Sequence, residues 1–413
     1  MDLIPSILFA LFSLSEISYA NDNCEIKNTT DKVIECILNK HPELQISNKE
    51  IDVAKGNLKL SSQLLNPSLE WEFNESQRAS GLSSEINLKY KFELGSKRAH
   101  RKKLARVQKS LADVAYIKSY NKIKIDLIIS LYRLRQIEHE TEVMNENKST
   151  FSLMISQYKK IGRMNPEQEI SVNIFSMASQ EVNLKLQNLQ NERDQILSKL
   201  EVMNGGVFIP QKKQLPPIDH TWPKLNESKL EGALTQEADL KVLESKKNYS
   251  LEKSKVWPNL AIGPRLVSSP NPEGNNFWGG SLSLDLPLLN LNRGAIQKAQ
   301  AIRAKAELSN NLLRKEILSE SKKLKSIYQR SSVSFNRALQ NSKHHQNHNR
   351  THSLIKRGLV SPPLVIELHR QSIEFYEALH QQELAAVKAR WDYYSLFYNL
   401  DKKTIAATEG GVK

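Results

Sequence analysis

Four of the ten histidines lie in one ten-residue stretch, KHHQNHNRTH, at residues 343–352. His344, His348 and His352 follow one another at intervals of four residues, and the cluster also includes His345. At about 100° per residue in a helix, the four side chains fall within roughly a 100° arc. Two histidines at i and i+4 can chelate a divalent ion. The stretch is therefore a candidate weak metal site, with a polar helix surface as the alternative.

The two cysteines, Cys24 and Cys36, follow an N-terminal segment with the features of a secretion signal. Residues 1–20 have an apolar core and end in SYA, a small-x-small cleavage sequence, although the usual basic n-region is missing. In an oxidising exported compartment the two thiols are expected to form one disulfide, which would tie the mature N-terminus to the first helix. Two free thiols are the alternative.

Other patterns that carry chemistry do not occur in the sequence. There is no P-loop, GxGxxG or HExxH, and the serine and acidic residues form no recognisable catalytic set. The formal net charge of +14 comes mostly from bases interleaved with acids on helical patterns, which indicates a solvated surface rather than a nucleic-acid-binding one. The sequence therefore predicts no enzyme, no cofactor and no nucleic-acid partner.

Very long helices must position the candidate residues. Between Gly95 and Gly162 lie 66 residues without glycine or proline, and between Gly294 and Gly358 lie 63. Both segments are rich in good helix formers, with apolar residues at helical spacing. A continuous helix of that length would extend about 95–100 Å, which no compact globular domain can hold. Residues 167–204 and 364–409 predict two further helices that return along the first pair.

Two β-hairpins precede the long helices, at about residues 66–94 and 259–288. Their apolar residues alternate with polar ones, as in LEWEF and INLKYKF. The strands are about ten residues long, which suits tilted membrane strands, although hairpins packed on the helices are the alternative. Four strands cannot close a barrel, and an open edge cannot lie in lipid. A membrane location therefore requires oligomers, and three copies would supply twelve strands.

The two halves of the chain follow one plan. Tyr132 and Tyr328, Gly162 and Gly358, and Pro166 and Pro362 are related by one common shift of 196 residues, which indicates an internal duplication. The predicted organisation is a signal peptide (1–20), a first repeat (21–204), a proline-rich linker (205–231), a second repeat (232–409) and a short tail (410–413).

The order of these elements resembles the TolC-like outer-membrane efflux proteins. The resemblance rests on LLNPSLEW and VWPNLAIG before the hairpins, and on FELGSKRAHRKKLA and LPLLNLNRGAIQKAQA at the strand-to-helix junctions. HPEL, NPSLEWEF and ELGSKR look most similar to the CzcC-like branch, which serves heavy-metal efflux. The implied fold is mainly α with a small β part. Duplicated halves would form a periplasmic helical tunnel, with four strands per chain in a homotrimeric, twelve-stranded outer-membrane barrel.

The same resemblance implies partners and contact residues. The implied partners are outer-membrane lipid, a periplasmic adaptor protein and an inner-membrane RND-type pump. In the family, each helical hairpin ends in a glycine-containing tip that meets the adaptor. The matching residues here are Gly162, Arg163, Met164, Asn165, Gly358, Leu359, Val360 and Ser361. Glycine tolerates the positive φ that a reversal often needs, and the proline after each turn suits the start of the returning helix. An ordinary helix-hairpin turn without a partner is the alternative.

One acidic residue matches the family's tunnel constriction. Glu367 occupies the second of two acidic positions, whereas Leu364 occupies the first, so the pattern is half matched. Glu367 could form a three-fold acidic ring that prefers cations, or it could be an ordinary solvated or paired carboxylate. Together, the patterns and the resemblance predict a passive export channel of a tripartite system, serving heavy-metal cations. Drug efflux, type I protein secretion and a non-membrane periplasmic coiled-coil protein are the alternatives.

Overall fold

The computed structural model describes residues 24–76, 81–218, 222–225, 232–268, 276–342, 353–355, 357 and 359–400. Helices and strands follow one another in two similar runs. The first is α1 (Thr30–Lys40), α2 (Pro42–Ser62), β1 (Ser68–Ser76), β2 (Gly81–Glu93), α3 (Lys97–Lys159) and α4 (Pro166–Asn204). The second is α5 (Ala233–Ser254), β3 (Asn259–Ser268), β4 (Phe277–Leu284), α6 (Arg293–Ser342) and α7 (Pro362–Phe397).

The helices follow the glycine and proline pattern, with one difference at the C-terminal end. The helix expected over residues 364–409 is α7, which begins at Pro362 and ends at Phe397. Tyr398 is extended (φ −135°, ψ 157°). Just beyond it, Asn121 accepts a hydrogen bond from the Leu400 N–H and Lys124 donates one to the Leu400 carbonyl. These tertiary contacts hold the backbone out of the helix, where Tyr398 and Asn399 are themselves weak helix formers. Among the described helices, none is both long and apolar enough to cross a bilayer.

The four strands form one antiparallel sheet in the order β1-β2-β3-β4. Each predicted hairpin is present, and pairing of β2 with β3 joins the two halves of the chain into a single sheet. The alternation of side chains gives the sheet two different faces. One face is apolar and exposed, and includes Leu69, Trp71, Phe73, Leu88, Ile262, Trp278 and Leu282.

The opposite face of the sheet is polar and held by cross-strand pairs. Glu70 binds Lys89 at 2.5 Å, and Glu85 binds Arg265 at 2.5 Å. The Ser281 hydroxyl donates to Asn87 at 2.7 Å. Residues on this face therefore satisfy one another across the strands, whereas the large side chains of the apolar face stay exposed in the described part of the protomer.

A left-handed residue stands immediately before each of the two longest helices. Ser96 (φ 58°) precedes α3, and Asn292 (φ 53°) precedes α6. The first junction also uses Gly95 at φ +69°, where a Cβ atom would lie 2.5 Å from the Trp257 ring. Positive φ and close packing together explain why glycine occupies this position. In both halves, a left-handed residue thus directly precedes the first residue of the long helix.

The helices pack side by side and form one wall below the sheet. Next to the sheet, α3 lies between α2 and α5, and α6 packs on the other side of α5. Farther down, α4 replaces α2 and α7 replaces α5, so the order becomes α4-α3-α7-α6. Two buried apolar clusters support the wall, one around Leu127, Leu131 and Trp391, the other around Phe151 and Phe175. The two edges of this wall have no partner within the described protomer.

The segments around Cys24, Cys36 and Gln214, which we call the clasp, pack against the middle of the wall. The Sγ atoms of Cys24 and Cys36 are bonded, with their Cα atoms 5.7 Å apart. Gln214 donates to the carbonyls of Cys24 and Lys27, so the chain between the two halves binds the described N-terminal residues. Cys24, Cys36 and their apolar neighbours on α1 belong to the cluster around Leu127. The clasp therefore joins chain segments from both halves.

Candidate functional site: helix tips and a polar seam

The first helical tip connects α3 to α4. Asn165 is the N-cap of α4: its side chain accepts from the Gln168 N–H at 2.8 Å, while the Gln168 side chain accepts from the Asn165 N–H at 2.9 Å. Pro166 follows at the first helical position. This reciprocal capping fixes where the returning helix starts. Gly162 and Arg163 are exposed, and Met164 is half-buried.

Gly162 does not need the backbone freedom that the sequence analysis assigned to it. Among the described glycines, positive φ occurs at Gly95 and Gly205, and Gly162 is not one of them. A Cβ atom at Gly162 would meet nothing within 4 Å. That explanation for the residue is therefore wrong. The tight reversal is achieved instead by the cap at Asn165 and by Pro166.

The second tip is described in part. Gly358 lies outside the described residues, as does the histidine cluster His344, His345, His348 and His352. Leu359 is 67% exposed, and Val360 is half-buried. Ser361 is the N-cap of α7 in extended conformation, and its side chain makes no capping bond. Both tips thus end in a cap followed by proline, and both present an apolar side chain next to the turn.

Glu367 lies one turn into α7, on the helix surface. Its carboxylate binds Arg370 at 2.8 Å, and Arg370 also binds Glu374 at 2.6 Å. The side-chain hydrogen bond from Arg370, helped by one from Gln371, lowers the pKa of Glu367 below its usual value. Within one protomer this carboxylate is therefore charged and paired with a surface arginine.

Sequence reasoning missed a line of buried polar pairs between α3 and α7, which we call the polar seam. It contains Gln136, Glu140 and Asn147 of α3 and His369, His380 and Glu383 of α7, all buried. His369 Nδ1 lies 2.6 Å from Asn147 Oδ1, and His380 Nδ1 lies 2.7 Å from Glu140 Oε1. The Gln136 amide donates to Glu383 at 2.8 Å. The two helices are antiparallel, so the pairs follow one another along the wall.

Arginines extend the polar seam to the neighbouring elements. Arg133 binds both oxygens of Glu140, at 2.8 and 3.1 Å, and also Glu192 of α4 at 2.7 Å. Arg135 donates to Glu383 and to the carbonyls of Pro216 and Pro217. The polar seam therefore links α3, α4, α7 and the chain between the two halves.

A weak signal for the polar seam exists in the sequence. His369 and His380 are eleven residues apart on α7, about three turns, which places them on one side of a helix. The partner positions on α3 cannot be read from spacing, because they depend on the register between two distant helices.

The pKa values of Glu140 in the polar seam and of His139 beside it are both lowered, for different reasons. Burial lowers the pKa of His139 below its usual value, and the nearby His380 lowers it further. Burial alone would raise the pKa of Glu140, but hydrogen bonds from His380 and Arg133 outweigh it, so the pKa of Glu140 is lowered. Near neutral pH the polar seam therefore holds a charged Glu140 beside a neutral His139. In the described residues, no group of three or more His, Cys, Asp or Glu is arranged to hold a metal ion.

Comparison with known proteins gives matches in structure and not in sequence. No protein-family model and no curated protein sequence matches the chain. Its structure is similar to that of CusC, with a TM-score of 0.72, 13% identity, and coverage of 90% of this chain and 92% of CusC. It is similar to the MtrE outer-membrane channel of Neisseria gonorrhoeae, with a TM-score of 0.72, 12% identity and coverage of 90% and 89%.

A third similar structure is the CmeC outer-membrane channel of Campylobacter jejuni, with a TM-score of 0.71, 11% identity and coverage of 93% and 90%. In each case the likeness covers 90% or more of this chain. At such low sequence identity, the structural similarity shows the fold of the chain. The fold predicted from the resemblance is confirmed: the chain has the mainly helical fold, with a four-stranded antiparallel sheet, of the TolC-like outer-membrane channels.

Proposed function

We propose that this chain is the subunit of a trimeric export channel in the outer membrane of a Gram-negative bacterium. The observation that carries the proposal is an amphipathic wall, continuous from sheet to helices, that is open along both edges. Strands β1 and β4 each pair on one side only. An unpaired strand edge next to an exposed apolar face is unfavourable in water and in lipid alike.

Association of identical subunits would complete both edges. Because the sheet has four strands, three copies bring twelve, and β1 of one copy pairs with β4 of the next. The apolar face would then contact lipid, and the polar face with its Glu70–Lys89 and Glu85–Arg265 pairs would line the lumen.

The edge helices carry apolar stripes that support the same assembly. On α2 the stripe is Ile46, Val53 and Leu60, and on α4 it is Ile170, Met177 and Leu184, both at intervals of seven residues and exposed in the protomer. Exposed Leu308 and Leu312 lie on α6 at the opposite edge. Apolar residues at such intervals are typical of helices that pack side by side. A neighbouring subunit is the partner that covers both edges at once.

The proposal extends to the partners and the cargo. The tips around Gly162, Arg163, Met164 and Asn165, and around Gly358, Leu359, Val360 and Ser361, would meet a periplasmic adaptor, which links the channel to an inner-membrane RND-type pump. The cargo is proposed to be heavy-metal cations, on the resemblance to the CzcC-like branch. A ring of three Glu367 carboxylates would favour cations. Drug efflux and type I secretion use the same kind of conduit.

Fractionation of cells that produce the chain tests location and assembly together. We expect recovery in the outer membrane, as a species that migrates as a trimer before heating and as a monomer after it. Recovery as a soluble periplasmic protein would refute the channel and favour the coiled-coil interaction protein.

The cargo needs a separate experiment. A strain that lacks the gene is compared with its parent for growth in divalent metals and in a panel of antibiotics. Sensitivity to metals alone supports cation export. Sensitivity to antibiotics alone contradicts it and leaves the channel itself unaffected.

A further inference from the structure

The polar seam lies where two coiled coils of the wall meet. On one side α3 packs with α4, and on the other α6 packs with α7. The lower wall also contains the buried apolar cluster around Phe151 and Phe175, as expected for helices that pack closely. The pairs between α3 and α7 are instead polar and buried, and ionisable groups recur among them. Such groups stabilise a contact in one protonation state only.

We propose that the polar seam is a proton-operated latch: it holds α7 against α3 near neutral pH, and protonation of His139 releases it. This inference about the seam stands without the channel. In the proposed channel, release would also widen the space inside the wall, and this consequence alone rests on the proposed function.

The closed seam requires a charged Glu140. A carboxylate can only accept hydrogen bonds, and Glu140 already accepts two from Arg133. The nearby Nδ1 of His380 must then carry hydrogen and donate to it across 2.7 Å. One carboxylate thus receives donors from both coiled coils. Its loss of charge would weaken this one of the links between them.

His139 lies on the other side of His380 and has no comparable acceptor. The ring centroid of His139 is 5.2 Å from that of His380 and 4.7 Å from that of Tyr376, both edge-on. Its Nδ1 atom is buried without a hydrogen-bond partner among the described residues. This position therefore accommodates the neutral ring of His139, and a proton carried on the buried Nδ1 would have no acceptor among the described residues.

Titratable and charged groups surround His139 from each element packed against it. From α7 these are His380 and Tyr376, and from α3 they are Arg135, Glu140 and Glu142. Lys212, in the chain between the two halves, reaches Glu142 at 3.9 Å. Both carboxylates would attract a protonated His139, whereas burial, His380 and Arg135 oppose it. The effects that oppose protonation are the larger ones, since the pKa of His139 is lowered overall.

The direction of the pH effect follows from this lowered pKa. With α3 and α7 apart, His139 would be solvated and its pKa would return toward the ordinary 6.5. The packed seam thus binds protons more weakly than the open one. The stabilisation of the packed seam by this pKa difference is fully present above about pH 6.5. It decreases as the pH falls toward the lowered pKa of His139. The lowered pKa of Glu140 acts in the same direction in still more acidic solution.

Hydrogen–deuterium exchange of the purified full-length protein tests the latch. Exchange is measured at about pH 7.5 and about pH 5.5, on either side of the ordinary histidine pKa, and corrected for the intrinsic rates. At the lower pH we expect residues 134–151 and 366–384 to exchange several-fold faster, because the packed seam binds protons more weakly than the open one. The apolar α3–α4 contact around Phe175 should keep its protection.

Two variants and a matched control make the result specific. His139→Gln removes the titrating group, and His139→Phe does so while keeping an aromatic ring against Tyr376. Either variant that folds should stay protected at the lower pH. His100→Gln, on the same helix far from the polar seam, should behave as the wild type. Equal protection of the wild type at both pH values, or equal loss in the His139 variants, overturns the latch. Neither outcome depends on transport, so the channel proposal would be unaffected.

Discussion

Two carboxylates of α7, Glu383 and Glu367, each bind an arginine in opposite surroundings. Glu383 is 0% exposed and receives hydrogen bonds from Arg135 and Gln136. Glu367 and its partner Arg370 lie on the surface. Removal of one member of a buried pair leaves an uncompensated charge in a medium that solvates it poorly, whereas water replaces a surface partner. A glutamate–arginine pair therefore contributes much more to stability at the buried position than at the surface position.

Replacement of Glu383 should destabilise the protein strongly. We expect Glu383→Leu to lower the free energy of unfolding by about 3–5 kcal/mol, because Arg135 loses its buried partner. Thermal unfolding followed by circular dichroism measures the effect. Glu367→Leu is the matched control on the same helix and should leave the midpoint unchanged. Equal shifts in the two variants would contradict this account.

At the scale of elements, the Cys24–Cys36 disulfide closes a loop with a sequence separation of 12 residues. A crosslink stabilises mainly by restricting the unfolded chain, and short loops give smaller gains. The double variant Cys24→Ser/Cys36→Ser should lower the free energy of unfolding by about 3 kcal/mol. Addition of a reductant to the wild type should give the same loss. If neither the double variant nor the reductant changes the unfolding midpoint, the clasp is held by packing alone.

A second element-scale prediction concerns Gly263, where β2 and β3 approach most closely. A Cβ atom there would lie 1.7 Å from the Leu88 carbonyl oxygen. We expect Gly263→Ala to separate the two strands and to reduce the heat-modifiable species severely. Gly279→Ala in β4 is the matched control, since its Cβ would meet nothing within 4 Å. Gel mobility before and after heating compares them. The prediction fails if both variants assemble like the wild type.

Local patterns predicted the elements, whereas long-range pairings were inaccessible. Segments free of glycine and proline predicted α3 and α6, and alternation predicted the strands, because both signals are local. That β2 pairs with β3 depends on residues far apart in the chain, such as Ile86 and Leu266. The polar seam was missed for the same reason. His139 and His380 are ordinary polar residues of long helices until the register brings them together.

At the scale of the whole molecule, the proposed assembly would depend on the apolar stripe of α4. Met177 and Leu184 are 70% and 69% exposed in the protomer. In the proposed ring they would lie against a neighbouring subunit. Charges placed there would have to be buried without partners, which is costly.

The corresponding test introduces lysines into this stripe. We expect Met177→Lys/Leu184→Lys to abolish the trimer in chemical crosslinking, while far-ultraviolet circular dichroism stays unchanged. Asn183→Lys adds a charge on the same helix but off the stripe, and it should still form trimers. Trimers of normal abundance in the double variant would show that α4 faces solvent and would contradict the proposed ring.

The continuity of α3 has a mechanical consequence. This helix runs unbroken from Lys97 to Lys159, so the polar seam and the tip belong to one stiff rod. Glu140 and Lys159 are nineteen residues apart, a lever arm of about 28 Å at 1.5 Å per residue. A tilt of about 10° at Glu140 would displace the tip by roughly 5 Å, if the rod does not bend. Protonation of one side chain at the polar seam would thus move the helical tip by several ångströms.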